Sequence, residues 1–272
     1  MRFFLTGIEG MIGKHLAKRL VSLGHTVDAC RTEHRAGQKF ILEVNYVDSF
    51  QLQKRQYDYI LHMAATTSIK QDLETSVEIA YNNIVFAQQI FNSPFRIIYA
   101  SSTSAYELTN VYAYSKAFNE HLGLRHGNAI GMRFFNVYGH GNNKGIVKKV
   151  IDCCLTGEPL TLTGGDQIRD FIYIDDVIDI IIDYLDCPLK VMDVGTGVGT
   201  CLNDVVKEIL VSFQDMGMNK EVNLFDRNLT RLKSDYHGEQ MESIAHSHPV
   251  KDYTPLREGI RKTIEETLKQ RG

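Results

Sequence analysis

Residues 2–13 read RFFLTGIEGMIG. An apolar run of strand length is followed by glycines at 7, 10 and 13, and then by a segment with the apolar spacing of a helix. Lacking a Cβ, Gly7 permits a tight turn. Gly10 lets backbone approach a phosphate, and Gly13 lets the helix pack close on the strand. The helix start then presents unpaired N–H groups and the positive end of its dipole to a pyrophosphate. Three glycines alone are a weak signal. In a strand–turn–helix setting they predict dinucleotide binding at Gly7, Gly10 and Gly13.

Outward from this turn the chain alternates. Strands are predicted at 2–5, 26–29, 39–44, 57–62, 95–100 and 129–135, with helices at 11–23, 75–92 and 111–126. Alternation of this kind predicts an α/β fold, a Rossmann-type doubly wound parallel sheet covered on both faces with right-handed crossovers. An apolar strand at 171–174 and a helix from 175 follow, and past about 192 the pattern loosens into a smaller mixed segment ending in a helix at 256–269. The expected division is a dinucleotide-binding domain, 1–140 plus about 165–185, and a small C-terminal α/β substrate domain, about 141–164 and 186–272.

The formal net charge of −3 over 272 residues argues against nucleic acid as the main partner. No run of eighteen apolar residues exists, so no membrane span is expected. The start, MRFFLTG, runs straight into a strand and lacks the form of a secretory signal. Five cysteines without CxxC spacing read as reduced thiols of a cytoplasmic protein. The histidines show no HxxxH spacing, so no metal site is expected.

The tip of the second strand reads VDACRTE, residues 27–33. An acid there would bind the adenosine ribose of NAD, whereas arginine would pair with the 2′-phosphate of NADP. Asp28 lies inside the strand and Arg31 at its tip, so NADP is favoured and NAD left open. Further on, NVYAYSK, residues 110–116, sets Tyr112 and Lys116 four apart, on one face of a helix, with Tyr114 turned elsewhere. A hydroxyl cluster, SSTS at 101–104, precedes them.

With LHMAA at 61–65, YNNIV at 81–85, YASSTSAY at 99–106, RFFNVYG at 133–139 and IRDFIYIDDV at 168–177, these motifs stand in a recognisable order. The chain resembles an extended short-chain dehydrogenase/reductase, of the NAD(P)-dependent nucleotide-sugar epimerase/dehydratase group, over nearly its whole length. The resemblance implies that Tyr112 is the general acid/base and that Lys116 lowers the pKa of its phenol and holds the nicotinamide ribose. Ser102 would share the hydrogen bond to the reacting oxygen, with Thr103 as the substitute. Met11 and Ile12 would offer backbone N–H groups to the pyrophosphate. Asn45 and Tyr46 would border the adenine, Met63, Ala64 and Ala65 would line the cofactor, and Asn82 would touch it. Asn136, Arg169 and Arg231 would bind the nucleotide sugar, while Asp170 and Asp176 read as structural.

Within that group, dehydratases resemble one another in an Asp-Glu pair where this chain has Thr103 and Ser104, and decarboxylating members commonly carry a glutamate in this loop. The sequence therefore predicts a nucleotide-sugar epimerase working by transient oxidation. A nucleotide-4-keto-sugar reductase using NADPH is the alternative, and a cofactor-binding regulatory protein a lesser one. Lys144 matches a second acid/base of heptose epimerases but also reads as a solvated loop lysine. The family's habit implies a homodimer built on helices 75–92 and 111–126.

Overall fold

The computed structural model describes residues 1–30, 43–48, 52, 54–68, 70–142, 144–232, 242–247 and 252–271, the side chains at 163, 224, 231 and 232 excepted. In chain order the elements are β1 (Arg2–Thr6), α1 (Met11–Ser22), β2 (Thr26–Cys30), β3 (Asn45–Val47), β4 (Tyr59–His62) and α2 (Leu73–Ile79). A π-helical segment (Ala80–Val85) leads into α3 (Phe86–Phe91), β5 (Arg96–Ser102), α4 (Ser104–Glu107), α5 (Val111–His126) and β6 (Ala129–Phe134). Then come β7 (Asn136–Tyr138), α6 (Ile146–Thr156), β8 (Leu160–Thr163), β9 (Ile168–Tyr173), α7 (Ile174–Asp183) and β10 (Val191–Val194). The chain closes with β11 (Gly199–Cys201), α8 (Leu202–Asp215), α9 (Asn219–Asn228), β12 (Leu229–Leu232), β13 (Glu242–Ser243) and α10 (Leu256–Arg271).

The first compact unit is Met1–Phe134 with Val177–Val194. Its seven strands lie in the order β10-β6-β5-β4-β1-β2-β3, every pairing parallel. The order reverses between β1 and β4, and a ligand crevice is expected outside the carboxyl ends of these two strands. Both strands are apolar along their length because both faces are covered: Phe3, Phe4, Leu5, Ile60 and Leu61 are wholly buried. Helix α1 turns Leu16, Ala17 and Leu20 inward at helical spacing.

Two local expectations shift. Of the strand predicted at 39–44, residues 39–42 lie outside the described residues and 43–44 are not strand; the third strand is Asn45–Val47, in register with Asp28–Cys30. The helix predicted at 75–92 starts earlier, capped by Asp72, whose carboxylate accepts from the Thr75 N–H at 2.8 Å, and is interrupted by the π-helical segment.

Asp28 settles its own role. It is fully buried and accepts hydrogen bonds from Arg2, Arg55, the Tyr57 hydroxyl and the Asn45 amide, at 2.8–3.1 Å. Burial alone would push its pKa up, but these four partners hold it below the usual carboxylate value. Asp28 ties β2 to β1, β3 and the segment before β4.

The second unit is Phe135–Asp176 with Gly195–Gly272. The division thus falls at 134 rather than 140, and the segment that returns to the first unit is Val177–Val194 rather than 165–185. The reason is pairing: β9 lies beside β7, β11 and β13, while β10 lies beside β6. Asp170 is the hub of this unit, wholly buried and accepting from Thr196 N–H and hydroxyl, Gly197 N–H and Ala245 N–H. Asp176 accepts from the N–H and hydroxyl of Thr254 and so pins the chain ahead of α10. Among the described residues no helix is long and apolar enough to cross a membrane.

Candidate active site

At the carboxyl end of β1, Gly7 adopts φ +78°, and a Cβ on it would stand 2.6 Å from the Ala64 nitrogen. A Cβ on Gly13 would overlap the Gly7 carbonyl. The turn closes with Gly10 N–H donating to the Gly7 carbonyl at 3.0 Å, and Met11 and Ile12 form the first turn of α1. Thr6 fastens the neighbouring segment: its hydroxyl accepts from Ala64 N–H at 3.2 Å and shares a 2.8 Å hydrogen bond with His62 Nδ1. Met63, Ala64 and Ala65 are thereby held beside the glycine turn, each half-buried. This cradle of bare backbone at a helix start fits a dinucleotide pyrophosphate.

A second cluster lies at the carboxyl end of β5 and the start of α5. Asn110 caps α5 by accepting from Ala113 N–H at 3.0 Å, and Gly127 in the left-handed conformation ends it. The inward face of α5 is unusual in being polar, with Ser115, Lys116, Asn119 and Glu120 all buried. Lys116 donates to the Ala100 carbonyl at 2.8 Å and its Nζ stands 5.7 Å from the centre of the Tyr112 ring. Burial pulls the Lys116 pKa down to about 8, with the Glu120 carboxylate opposing the shift. Glu120 is itself engaged by Arg133 and by the Ser101 hydroxyl at 2.5 Å.

Ser102 lies near enough to the Tyr112 phenol to lower its pKa. Burial raises that pKa above 10 and Ser102 only partly offsets this, so in the protein alone the phenol carries its proton. Ser102 also accepts from Ser104 N–H at 3.2 Å. Thr103 precedes α4, and its carbonyl accepts from Tyr106 N–H. Tyr106 is committed elsewhere: its hydroxyl donates to Asp193 at 2.8 Å, accepts from Arg133, and its ring lies 4.1 Å from the Arg133 guanidinium. Tyr114 is exposed. Of the three tyrosines in this stretch, Tyr112 alone shares a face with Lys116.

Sequence reasoning missed Asn83. Asn82 donates to the Thr66 hydroxyl at 2.9 Å, but the buried residue is Asn83, at 1% exposure. Its amide accepts from Thr66 N–H, donates to the Thr66 carbonyl and donates to Ser115 Oγ, which in turn donates to the Tyr112 carbonyl at 2.7 Å. Asn83 therefore locks the first turn of α5 to the segment that follows β4. Helical spacing carried the signal, since Ile79, Asn83, Ala87 and Ile90 lie on one inward face.

Arg31 lies outside the described residues. Asn45 donates to Asp28 at 3.0 Å, and Tyr46 is half-buried on β3. In the second unit, Asn136 donates to the Asp170 carbonyl at 3.2 Å, Arg169 donates to the Ile168 carbonyl at 2.9 Å, and Arg231 is described for its backbone alone, in β12. Lys144 is exposed in the loop before α6, its N–H donating to Asn142.

A family model for the NAD dependent epimerase/dehydratase family matches residues 3–192. The chain is 25% identical over 255 aligned residues to a UDP-N-acetyl-alpha-D-glucosaminuronate decarboxylase of Bacillus cytotoxicus, covering 76% of this chain and 79% of that one. It is 25% identical to the CDP-abequose synthase of Salmonella typhimurium, over 98% and 97% of the two chains. The UDP-glucose 4-epimerase of Thermotoga maritima, solved with UDP-glucose, shares the fold with a TM-score of 0.79 at 20% identity, each chain fully covered. With a match over more than half its length, the chain belongs to the NAD-dependent epimerase/dehydratase family.

Proposed function

We propose that this enzyme is a nucleotide-sugar epimerase that oxidises a sugar hydroxyl transiently and reduces the resulting ketone back. The observation that carries the reading is the pairing of a phenol and an ammonium group on one helix face, with Lys116 Nζ 5.7 Å from the centre of the Tyr112 ring. A bound nicotinamide dinucleotide supplies the hydride acceptor and the hydride donor for the two halves of the cycle. Tyr112 removes the proton of the sugar hydroxyl and returns it when the ketone is reduced. Ser102 orients the same oxygen. Lys116 stabilises the phenolate by its charge, which matters because burial alone keeps the phenol protonated. Thr103 is the substitute for Ser102. Asn136, Arg169 and Arg231 are the proposed contacts to the nucleotide sugar, arginine suiting a diphosphate through its planar fork.

Purification decides between the readings. An epimerase carries its cofactor and interconverts nucleotide sugars with none added. Stoichiometric consumption of NADPH would make the enzyme a 4-keto-sugar reductase instead. Cofactor binding with no change in any sugar nucleotide would make it a regulatory protein.

We further propose a homodimer. Leu73, Val77, Tyr81 and Val85 recur every fourth residue along α2 and the π-helical segment, and all are exposed, Leu73 by 81%. On the neighbouring α5, Tyr114, Phe118 and Leu124 are exposed as well. Two adjacent helices with apolar outer stripes suit a second copy of the same pair. Light scattering is expected to give twice the chain mass, and Val77→Glu with Tyr81→Glu to give a folded monomer. A wild-type monomer at micromolar concentration would rule the dimer out.

A further inference from the structure

We propose that Glu120 is a positioning residue of this chemistry: its buried carboxylate keeps Lys116 an ammonium ion beside the Tyr112 phenol, and Arg133 and Ser101 hold that carboxylate in place. The inference deepens the reading of Lys116 as the phenol's electrostatic partner, and rests on it. An ammonium ion stabilises a phenolate only while it is charged, and burial works against the charge. Lys116 is almost wholly buried, so its proton needs a counter-charge to stay.

Glu120 stands one helical turn beyond Lys116, on the same inward face of α5, about 6 Å further along the axis. Both side chains are fastened to one strand. The ammonium donates to the Ala100 carbonyl at 2.8 Å, and the carboxylate accepts from the hydroxyl of the next residue, Ser101, at 2.5 Å. Across a trans peptide those two Cα atoms are about 3.8 Å apart. At such separations, away from water, opposite charges attract strongly enough to hold a proton on an amine. The sign agrees, since Glu120 raises the Lys116 pKa against the desolvation that draws it down to about 8.

Holding Arg133 does not by itself account for Glu120. The guanidinium also faces Asp193 at 3.8 Å, and the Tyr106 hydroxyl joins the two. Divided between two carboxylates, one positive charge does not cancel Glu120, and the rest of its field reaches Lys116. The other ionisable groups toward Lys116 are neutral near pH 7. Burial, and then the ammonium itself, pull the His62 imidazole on β4 down to about 3. Burial keeps Tyr112 protonated, and burial with Glu120 does the same for Tyr99 on β5. Of the helical segments packed against α5, α2, the π-helical segment and α4 add Glu74, Glu78, Tyr81 and Glu107, all exposed, and α3 adds no ionisable group.

The test follows the Lys116 side chain itself, by NMR of protein carrying Cε-labelled lysine, its signal identified by loss in Lys116→Met. The wild-type signal is expected to titrate with a midpoint of about 8. Glu120→Gln keeps the shape of the side chain without its charge, and is expected to lower the midpoint by about one unit or more. Glu120→Asp keeps the charge and is expected to recover most of the difference. Activity follows the proton: for a fall of about one unit, kcat of Glu120→Gln drops about fivefold at about pH 8 and hardly at all at about pH 6. A damaged fold would lower both alike. If Glu120→Gln melts too early to be titrated, Arg133→Gln carries the test with the opposite sign, because losing the guanidinium frees the field of Glu120 and raises the midpoint. A midpoint unmoved or raised in Glu120→Gln, one lowered as far in Glu120→Asp, or one not raised in Arg133→Gln overturns the proposal and leaves the Tyr112–Lys116 reading standing. A midpoint that falls as expected while kcat keeps its pH profile removes Lys116 from the chemistry, and the proposal with it.

Discussion

Tyr112→Phe is expected to lower kcat by about a thousandfold, within the range that a positioned general acid/base contributes, while the melting temperature and cofactor affinity stay near those of wild type. The substitution deletes one oxygen. The ring remains, so its packing beside the Lys116 ammonium, 5.7 Å from the ring centre, is kept. Ser102 keeps its bonds to Ser104, so no group is stranded by the change. What disappears is the proton carrier. The neighbouring tyrosines serve as internal controls. Tyr114→Phe alters an exposed ring and is expected to leave kcat untouched. Tyr106→Phe removes a hydroxyl shared by Asp193 and Arg133, so its effect belongs to stability. Steady-state kinetics on the three variants separates the roles. If Tyr112→Phe kept more than a tenth of wild-type turnover, the phenol would not be the proton carrier.

The contrast between Asn82 and Asn83 shows where a sequence is legible and where it is not. Features dictated by local sterics could be read directly. The glycine turn is one, because a Cβ at Gly7 or Gly13 has no room. The buried strands are another, because a parallel sheet covered on both faces demands unbroken apolar runs. The Tyr112–Lys116 spacing is a third, since four residues on a helix fix a common face. Features that depend on which partner a polar group meets were not legible. Asp28 lies inside the second strand, where alternation alone does not say which way its carboxylate turns, and only the convergence of Arg2, Arg55, Tyr57 and Asn45 shows its use. The strand at 45–47 owes its place to tertiary pairing with β2, which no local pattern carries. The residues expected to hold substrate, Asn136, Arg169 and Arg231, are polar groups whose use depends on a molecule absent from the sequence.

Lys116→Met is expected to give an inactive protein that is more stable than its parent at pH 7. The lysine is 2% exposed, and burial has drawn its pKa from 10.5 down to about 8. At 1.36 kcal/mol per unit, holding the charged form there costs on the order of 3 kcal/mol relative to the unfolded chain. The sign follows from proton binding. Between about pH 8 and 10.5 the unfolded chain holds this proton and the folded chain releases it. Wild-type stability should therefore rise with pH across that window as far as Lys116 is concerned, and the penalty is present in full below about pH 8. Methionine matches the length of the stem without the charge. Against this, the Ala100 carbonyl loses its donor, a cost of about 1–2 kcal/mol, whereas Glu120 keeps Arg133 and Ser101. The net gain at pH 7 is then about 1 kcal/mol, a case of stability traded for activity. It should fall to zero near about pH 9 and reverse at higher pH, where the charge penalty is largely gone but the lost bond to the Ala100 carbonyl remains. Urea unfolding at pH 7 and pH 10 measures both ends. A variant less stable than wild type at pH 7 would mean that the Ala100 bond outweighs the buried charge, and that Lys116 serves the fold before it serves the phenol.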